Sequence, residues 1–167
     1  MLAVISTTLS ASAQKYAFVD TDYILSNIPA FKEAQEELDQ LSETYEKEVS
    51  QEFAKAEELY KAYQAEKILL TEEMRAKREE EIIAQERKAK KLQNDHFGVD
   101  GNLFKKRQEL IEPIQDQVFE AVKEIAKEGN YAFIFDKANQ SVVMFADERY
   151  NKSDKVLKNL GITPKAE

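Results

Sequence analysis

The sequence predicts an α+β, mostly helical protein: a long antiparallel helical hairpin joined to a small β body that other copies of the chain complete. Three observations carry this. Two segments with a period of two, "KYAFVDTDYIL" at 15–25 and "NYAFIFDKANQ" at 130–140, enclose about a hundred residues dominated by Glu, Lys, Gln and Ala. Within those residues the apolar side chains recur at three- and four-residue steps, the spacing of a helix stripe. Finally, 34% of the 167 residues are charged, which leaves too little apolar material for one thick core, so an elongated form is expected. The net charge of −8 also argues against nucleic acid and anionic lipid as partners, since both require a basic face.

The chain opens on "MLAVISTTLSASA", which holds no charge, and Ala11-Ser12-Ala13 offers the small-x-small pattern of a signal-peptidase site. Residues 1–13 therefore read as the remnant of a secretory signal whose basic start is missing, with the mature chain beginning near Gln14. A disordered apolar tail is the plainer alternative. No Cys occurs, which excludes disulfides and lipid attachment through an N-terminal Cys. No later run reaches the ~18 apolar residues of a membrane span, so no stable membrane insertion is expected and the mature chain is predicted to be soluble and exported.

Next comes the hairpin, 31–110. Phe31, Ala34, Leu38, Leu41 and Tyr45 form one stripe, continued by Val49, Phe53, Ala56, Tyr60 and Tyr63. Pro29 suits the first turn, with Ser26 and Asn27 as capping candidates. A second stripe places Phe97, Phe104, Ile111, Val118 and Ile125 seven apart, with Ile114 and Ala121 between them. Between the stripes, in "EKILLTEEM", Thr71 can cap a new helix with Glu72 and Glu73 in its first turn. A reversal near 69–72 follows, although no Gly or Pro enforces it and one uninterrupted helix is the rival. Folding residues 31–69, a rod of about 58 Å, back on itself pairs positions whose numbers sum to roughly 141 and sets Tyr45 opposite His96 and Phe97.

In "HFGVDGNLF" two glycines disfavour a helix, by about 1 kcal/mol each. Ala89, Leu92, His96, Val99 and Leu103 nevertheless keep their spacing, so the helix is expected to continue. Gly98 and Gly101 then either make room for a side chain opposite or soften a hinge, and Pro113 marks the joint where the arm enters the body.

The body, 14–30 and 111–162, holds the two similar segments as strands, with "SVVMF" at 141–145 as a third after a tight turn at Asn139-Gln140. Ser153 can cap a last helix closed by Gly161, and 163–167 form a tail. Three strands cannot shield both faces of their sheet, so contacts between copies are expected at Phe18, Val19, Phe133, Phe135, Val143 and Phe145.

Chemistry is sparse. Asp20-Thr21-Asp22 resembles a metal-binding carboxylate pair but suits better a cap for the turn into "YILSN". His96 has no Cys or second His to share a metal or form a nucleophilic arrangement, so a packed or solvated role is expected. The Glu and Lys runs read as solvated helix faces. No catalytic residue, metal or cofactor is expected, and no enzyme.

With "VDTDYILSNIPAFKEAQEELD", a charged hairpin, "FKKRQELIEPIQDQVFEAVKEIAKEGNYAFIFD" and "SDKVLKNLGI", the chain resembles the Skp (OmpH-like) periplasmic chaperones over essentially its whole mature length. The strand pair "YAFIFD…VVMF" placed after the arm is the most specific part. The resemblance implies a homotrimer whose helical arms surround a cavity, and an ATP-independent holdase for unfolded outer-membrane β-barrel proteins. The best-known members are strongly basic and this chain is acidic, so capture of clients by charge and a lipopolysaccharide site do not carry over. Clients are then expected on spare aromatics and the hairpin tip: Tyr45, Phe53, Tyr60, Tyr63, Ile68, Leu69, Leu70 and Met74. A prefoldin-like cytosolic chaperone has similar arms, with the signal segment against it. A structural coiled-coil adaptor would need no strands at 131–145.

Overall fold

A computed structural model describes residues 14–138 and 143–164. The order is β1 (Lys15–Val19), α1 (Thr21–Ser26), α2 (Pro29–Glu66), α3 (Glu72–Phe97), α4 (Asn102–Gly129), β2 (Tyr131–Asp136), a 3₁₀ turn (Glu148–Tyr150) and α5 (Ser153–Asn159). The protein is mostly helical, with a long helical hairpin and a small strand pair. The described residues divide into a hairpin unit, 30–114, and a sheet unit, which takes those before residue 30 and those from 115 onward.

Helix α2, which forms one side of the hairpin, starts at Pro29, where the missing N–H costs nothing. The reversal falls where the cap signals place it: the Thr71 side chain accepts from the Met74 N–H, and Glu72 and Glu73 fill the first turn of α3. Leu69 N–H donates to the Glu66 carbonyl, and Arg75 Nε donates to the Lys67 carbonyl across the turn. The register holds as well. Tyr45 stacks on His96 with ring centroids 3.7 Å apart. Further along, Lys106 pairs with Glu37 at 3.1 Å, and the Tyr63 hydroxyl donates to Glu79.

The seam between α2 and α3 is thin. Val49, Ala56 and Tyr63 are buried on one helix and Ile82, Ala89 and His96 on the other, both seven apart. A polar layer interrupts it: Gln85 Nε2 donates to the Glu52 carboxylate at 2.7 Å and to the Glu52 carbonyl at 3.0 Å, while Lys55 and Lys88 pair with the same carboxylate. These donors hold the Glu52 carboxyl at about 2 instead of 4.5, with Lys55 the largest influence, then Lys88 and Gln85.

The expected continuous helix through 97–103 is not observed. α3 ends at Phe97, Gly98 closes it with its N–H on the Asn94 carbonyl, and α4 starts at Asn102. Close backbone approach explains the glycines. A Cβ at Gly98 would lie 2.5 Å from the Asn94 carbonyl oxygen, and one at Gly101 would lie 2.7 Å from that of His96. The break also resets the phase of the second stripe. Ile111, Ile114, Val118, Ala121 and Ile125 are buried as expected, whereas Phe97 and Phe104 are exposed.

In the sheet unit, β1 and β2 pair in parallel, Tyr16 beside Phe133 and Phe18 beside Phe135. Returning chain covers the other edge of β1, where Lys152 N–H donates to the Phe18 carbonyl. The expected third strand is not found: 143–145 form none, and Ser141 and Val142, with the turn at Asn139-Gln140, lie outside the described residues. Ile24, Ile125, Val156 and Leu157 are fully buried, each contributing roughly 1.5–3 kcal/mol.

Capping here differs in part from expectation. Asp20 does cap α1, accepting from the Tyr23 N–H at 2.9 Å. Ser26 and Asn27 close α1 instead of opening α2, both donating to the Tyr23 carbonyl. Ser153 does not cap α5. Its buried hydroxyl donates to Asn151 and accepts from the Asp20 N–H, tying the two ends of the unit together. Gly161, at φ +76°, ends that helix as expected.

Candidate functional site

Each unit has a set of exposed apolar side chains, and Phe119 on α4 is exposed as well. On the strand pair, Tyr16 stacks on Phe133 with centroids 5.9 Å apart and planes 8° apart, and Phe133 lies 6.2 Å from Phe135. The period of two sends these rings to one face, and in parallel register they lie side by side. All three remain open to solvent, Phe133 by 56%, Tyr16 by 46% and Phe135 by 43%. Beside them is a cleft of about 670 Å³ whose wall includes Phe18, Tyr131, Phe145 and Tyr150.

Of the residues expected between copies, Phe133, Phe135 and Phe145 are exposed and Val143 is half-buried. Phe18 and Val19 are already buried by their own chain, Phe18 beneath the Lys137 ammonium. Tyr16, Met144 and Tyr150 were missed although exposed; Tyr16 was legible as the residue two before Phe18, on the same face.

In the hairpin unit, the reversal leaves Ile68 exposed by 90% and Leu69 by 85%, because turn residues lack a facing helix. Met74 and Tyr60 are exposed as well, while Leu70, Tyr45 and Phe53 are half-buried. Tyr63 is buried. Its hydroxyl donates to the Glu79 carboxylate, which pushes the phenol's pKa up. Four residues outside the expected client-contact set are exposed too: Ile83, Phe97, Val99 and Phe104. Val99 stands in the break, and Phe97 and Phe104 were assigned to the buried stripe.

Of the expected flexible points, Gly98 and Gly101 flank the break, and Pro113 lies inside α4, just before the sheet unit resumes at Gln115. Among the described residues no group of three His, Cys, Asp or Glu side chains could hold a metal, and no helix is long and apolar enough to cross a membrane.

The family described as outer membrane protein (OmpH-like) matches residues 15–160, from β1 to the end of α5. The chain belongs to the OmpH-like family. A crystal structure of a candidate OmpH-like outer membrane chaperone from Caulobacter crescentus CB15 superposes with a TM-score of 0.68, covering 99% of this chain and 95% of that one. At 11% identity that likeness shows the fold alone. No curated protein matches. In this OmpH-like chain, then, both exposed apolar surfaces belong to a fold shared with a candidate chaperone.

Proposed function

We propose that the protein is an ATP-independent holdase of the periplasm: a homotrimer joined through the aromatic face of its strand pair, which holds unfolded outer-membrane β-barrel proteins between its hairpins and prevents their aggregation. The observation that carries this is the pair of exposed apolar surfaces of different character. A contiguous, mutually stacked aromatic face suits a fixed partner of the same kind, and β2 has a single partner strand among the described residues. Two isolated aliphatic side chains at a turn suit weak, exchangeable contact with many sequences.

Family membership and the relative's description as an outer membrane chaperone support the reading. The net charge of −8 shifts client capture from cationic attraction to apolar contact, with Ile68, Leu69, Met74 and Tyr60 in the lead. Binding should then survive salt of about 1 M, where the screening length is ~3 Å.

The test pairs the mass of the native assembly with dilution of a urea-denatured β-barrel protein into buffer with and without this protein. A mass of three chains and a stoichiometric loss of light scattering, without nucleotide, are expected. A monomer, or undiminished aggregation, would overturn the reading.

A further inference from the structure

His96 is the single histidine of the chain, 7% exposed, and it sits where α3 gives way to the break before α4. Three elements meet on its ring. From α2, Tyr45 stacks at 3.7 Å with planes 11° apart, and Glu48 Oε2 lies 3.1 Å from Nε2. From the first residue of α4, Asn102 Nδ2 lies 3.2 Å from Nδ1. The break closes on the same residue, since the His96 carbonyl is what a Cβ at Gly101 would strike.

These partners define one neutral tautomer. Nε2–H donates to Glu48, and Nδ1 offers its lone pair to the Asn102 amide. A second proton can go only onto Nδ1, the atom that holds Asn102. The imidazolium N–H would then face the amide N–H donor to donor, so Asn102 must turn over or let go. Meanwhile the hydrogen bond to Glu48 becomes charge-assisted, which roughly doubles its strength. The Tyr45 face, stacked on the ring, also favours a cation.

We propose that His96 is a proton-operated coupler: neutral, it accepts from the Asn102 amide and ties the start of α4 to the end of α3; protonated, it makes Asn102 turn over or let go and grips α2 through Glu48. Other charged groups around the break are Asp95 on α3, paired with Lys91, Asp100 in the break and Lys105 on α4, while Glu48 shares its surface with Glu52, Lys88 and Lys91. Among the described residues, Glu48 is the charged group hydrogen-bonded to the ring. Imidazole is the side chain whose charge ordinarily changes near neutral pH, which makes it the group on which such a coupler can be built. This inference does not depend on which clients are held.

The chain's composition makes the test clean, because it has one histidine and four glycines, two at the break and two in the sheet unit. Full-length protein labelled with ¹³C-histidine and ¹⁵N-glycine is titrated by NMR from about pH 8 to 5. The amide peaks of Gly98 and Gly101 should move with the midpoint of the His96 ring while Gly129 and Gly161 stay still. Asn102→Ala, at an exposed position, should leave the ring titrating but greatly reduce the Gly98 and Gly101 movement. A ring that does not titrate, break glycines that ignore it, four glycines moving together, or an undiminished response in Asn102→Ala would each overturn the proposal.

Discussion

The sheet unit and the hairpin unit spend their apolar residues in opposite ways. In the first, a compact core of Ile24, Ile125, Val156 and Leu157 lies in the same unit as a flat patch of stacked rings at its surface. In the second, the core is a single seam narrowed by Ala56 and Ala89 and crossed by the Glu52–Gln85 layer, and the exposed apolar groups are scattered along it. A contiguous patch rewards one well-fitted partner. A thin seam with a half-buried polar pair instead keeps two helices in register, because sliding would part the carboxylate from its donors. On the proposed reading, assembly belongs to the first unit and adaptable contact to the second.

The contrast breaks most completely at the aromatic face. Phe133→Asp puts a charge in the centre of the patch, and light scattering should find monomers that no longer suppress aggregation, with the fold intact by circular dichroism. A mutant that kept its native mass would place the assembly surface elsewhere. At the break, Gly101→Ala should destabilise by about 1–3 kcal/mol in a urea titration, since its Cβ meets fixed backbone. A gain in stability would mean that α3 and α4 can fuse into one helix.

A smaller effect is expected at the tip. Ile68→Ser with Leu69→Ser removes two contacts worth on the order of 1 kcal/mol each, so client binding should weaken several-fold at unchanged helicity and mass. If the hairpin melted earlier while affinity held, these side chains would be packing groups. Smallest is the polar layer. Because the folded state holds the Glu52 carboxyl at about 2, below its ordinary 4.5, its contribution is complete above about pH 4.5 and fades as pH falls toward 2. The stability difference between wild type and Glu52→Gln should shrink over that window. A difference independent of pH would show that the amide replaces the carboxylate fully.

Much of the hairpin was legible because its signals are local. Pro29, the Thr71 cap and the stripe spacing fix where α2 starts and α3 begins, and register then follows by counting, which is how Tyr45 meets His96. The break was not legible. Ala89, Leu92, His96, Val99 and Leu103 keep helical spacing through it, whereas its cause, backbone oxygens pressed against Gly98 and Gly101, has no periodic signature. Missing the break also sent Phe97 and Phe104 to the core. In the sheet unit the period of two grouped the aromatic side chains correctly, yet Phe18 is covered and Phe133 open because residues far along the chain, Lys137 and 151–152, return over β1.

The most direct measurement places a photo-reactive amino acid at position 133 or at position 69 of the full-length chain and irradiates it with a denatured β-barrel protein present. Position 133 is expected to crosslink to a second copy of the chain whether or not client is added, and position 69 to the client. Client captured at 133, or position 69 reacting only with other copies of the chain, would contradict this assignment.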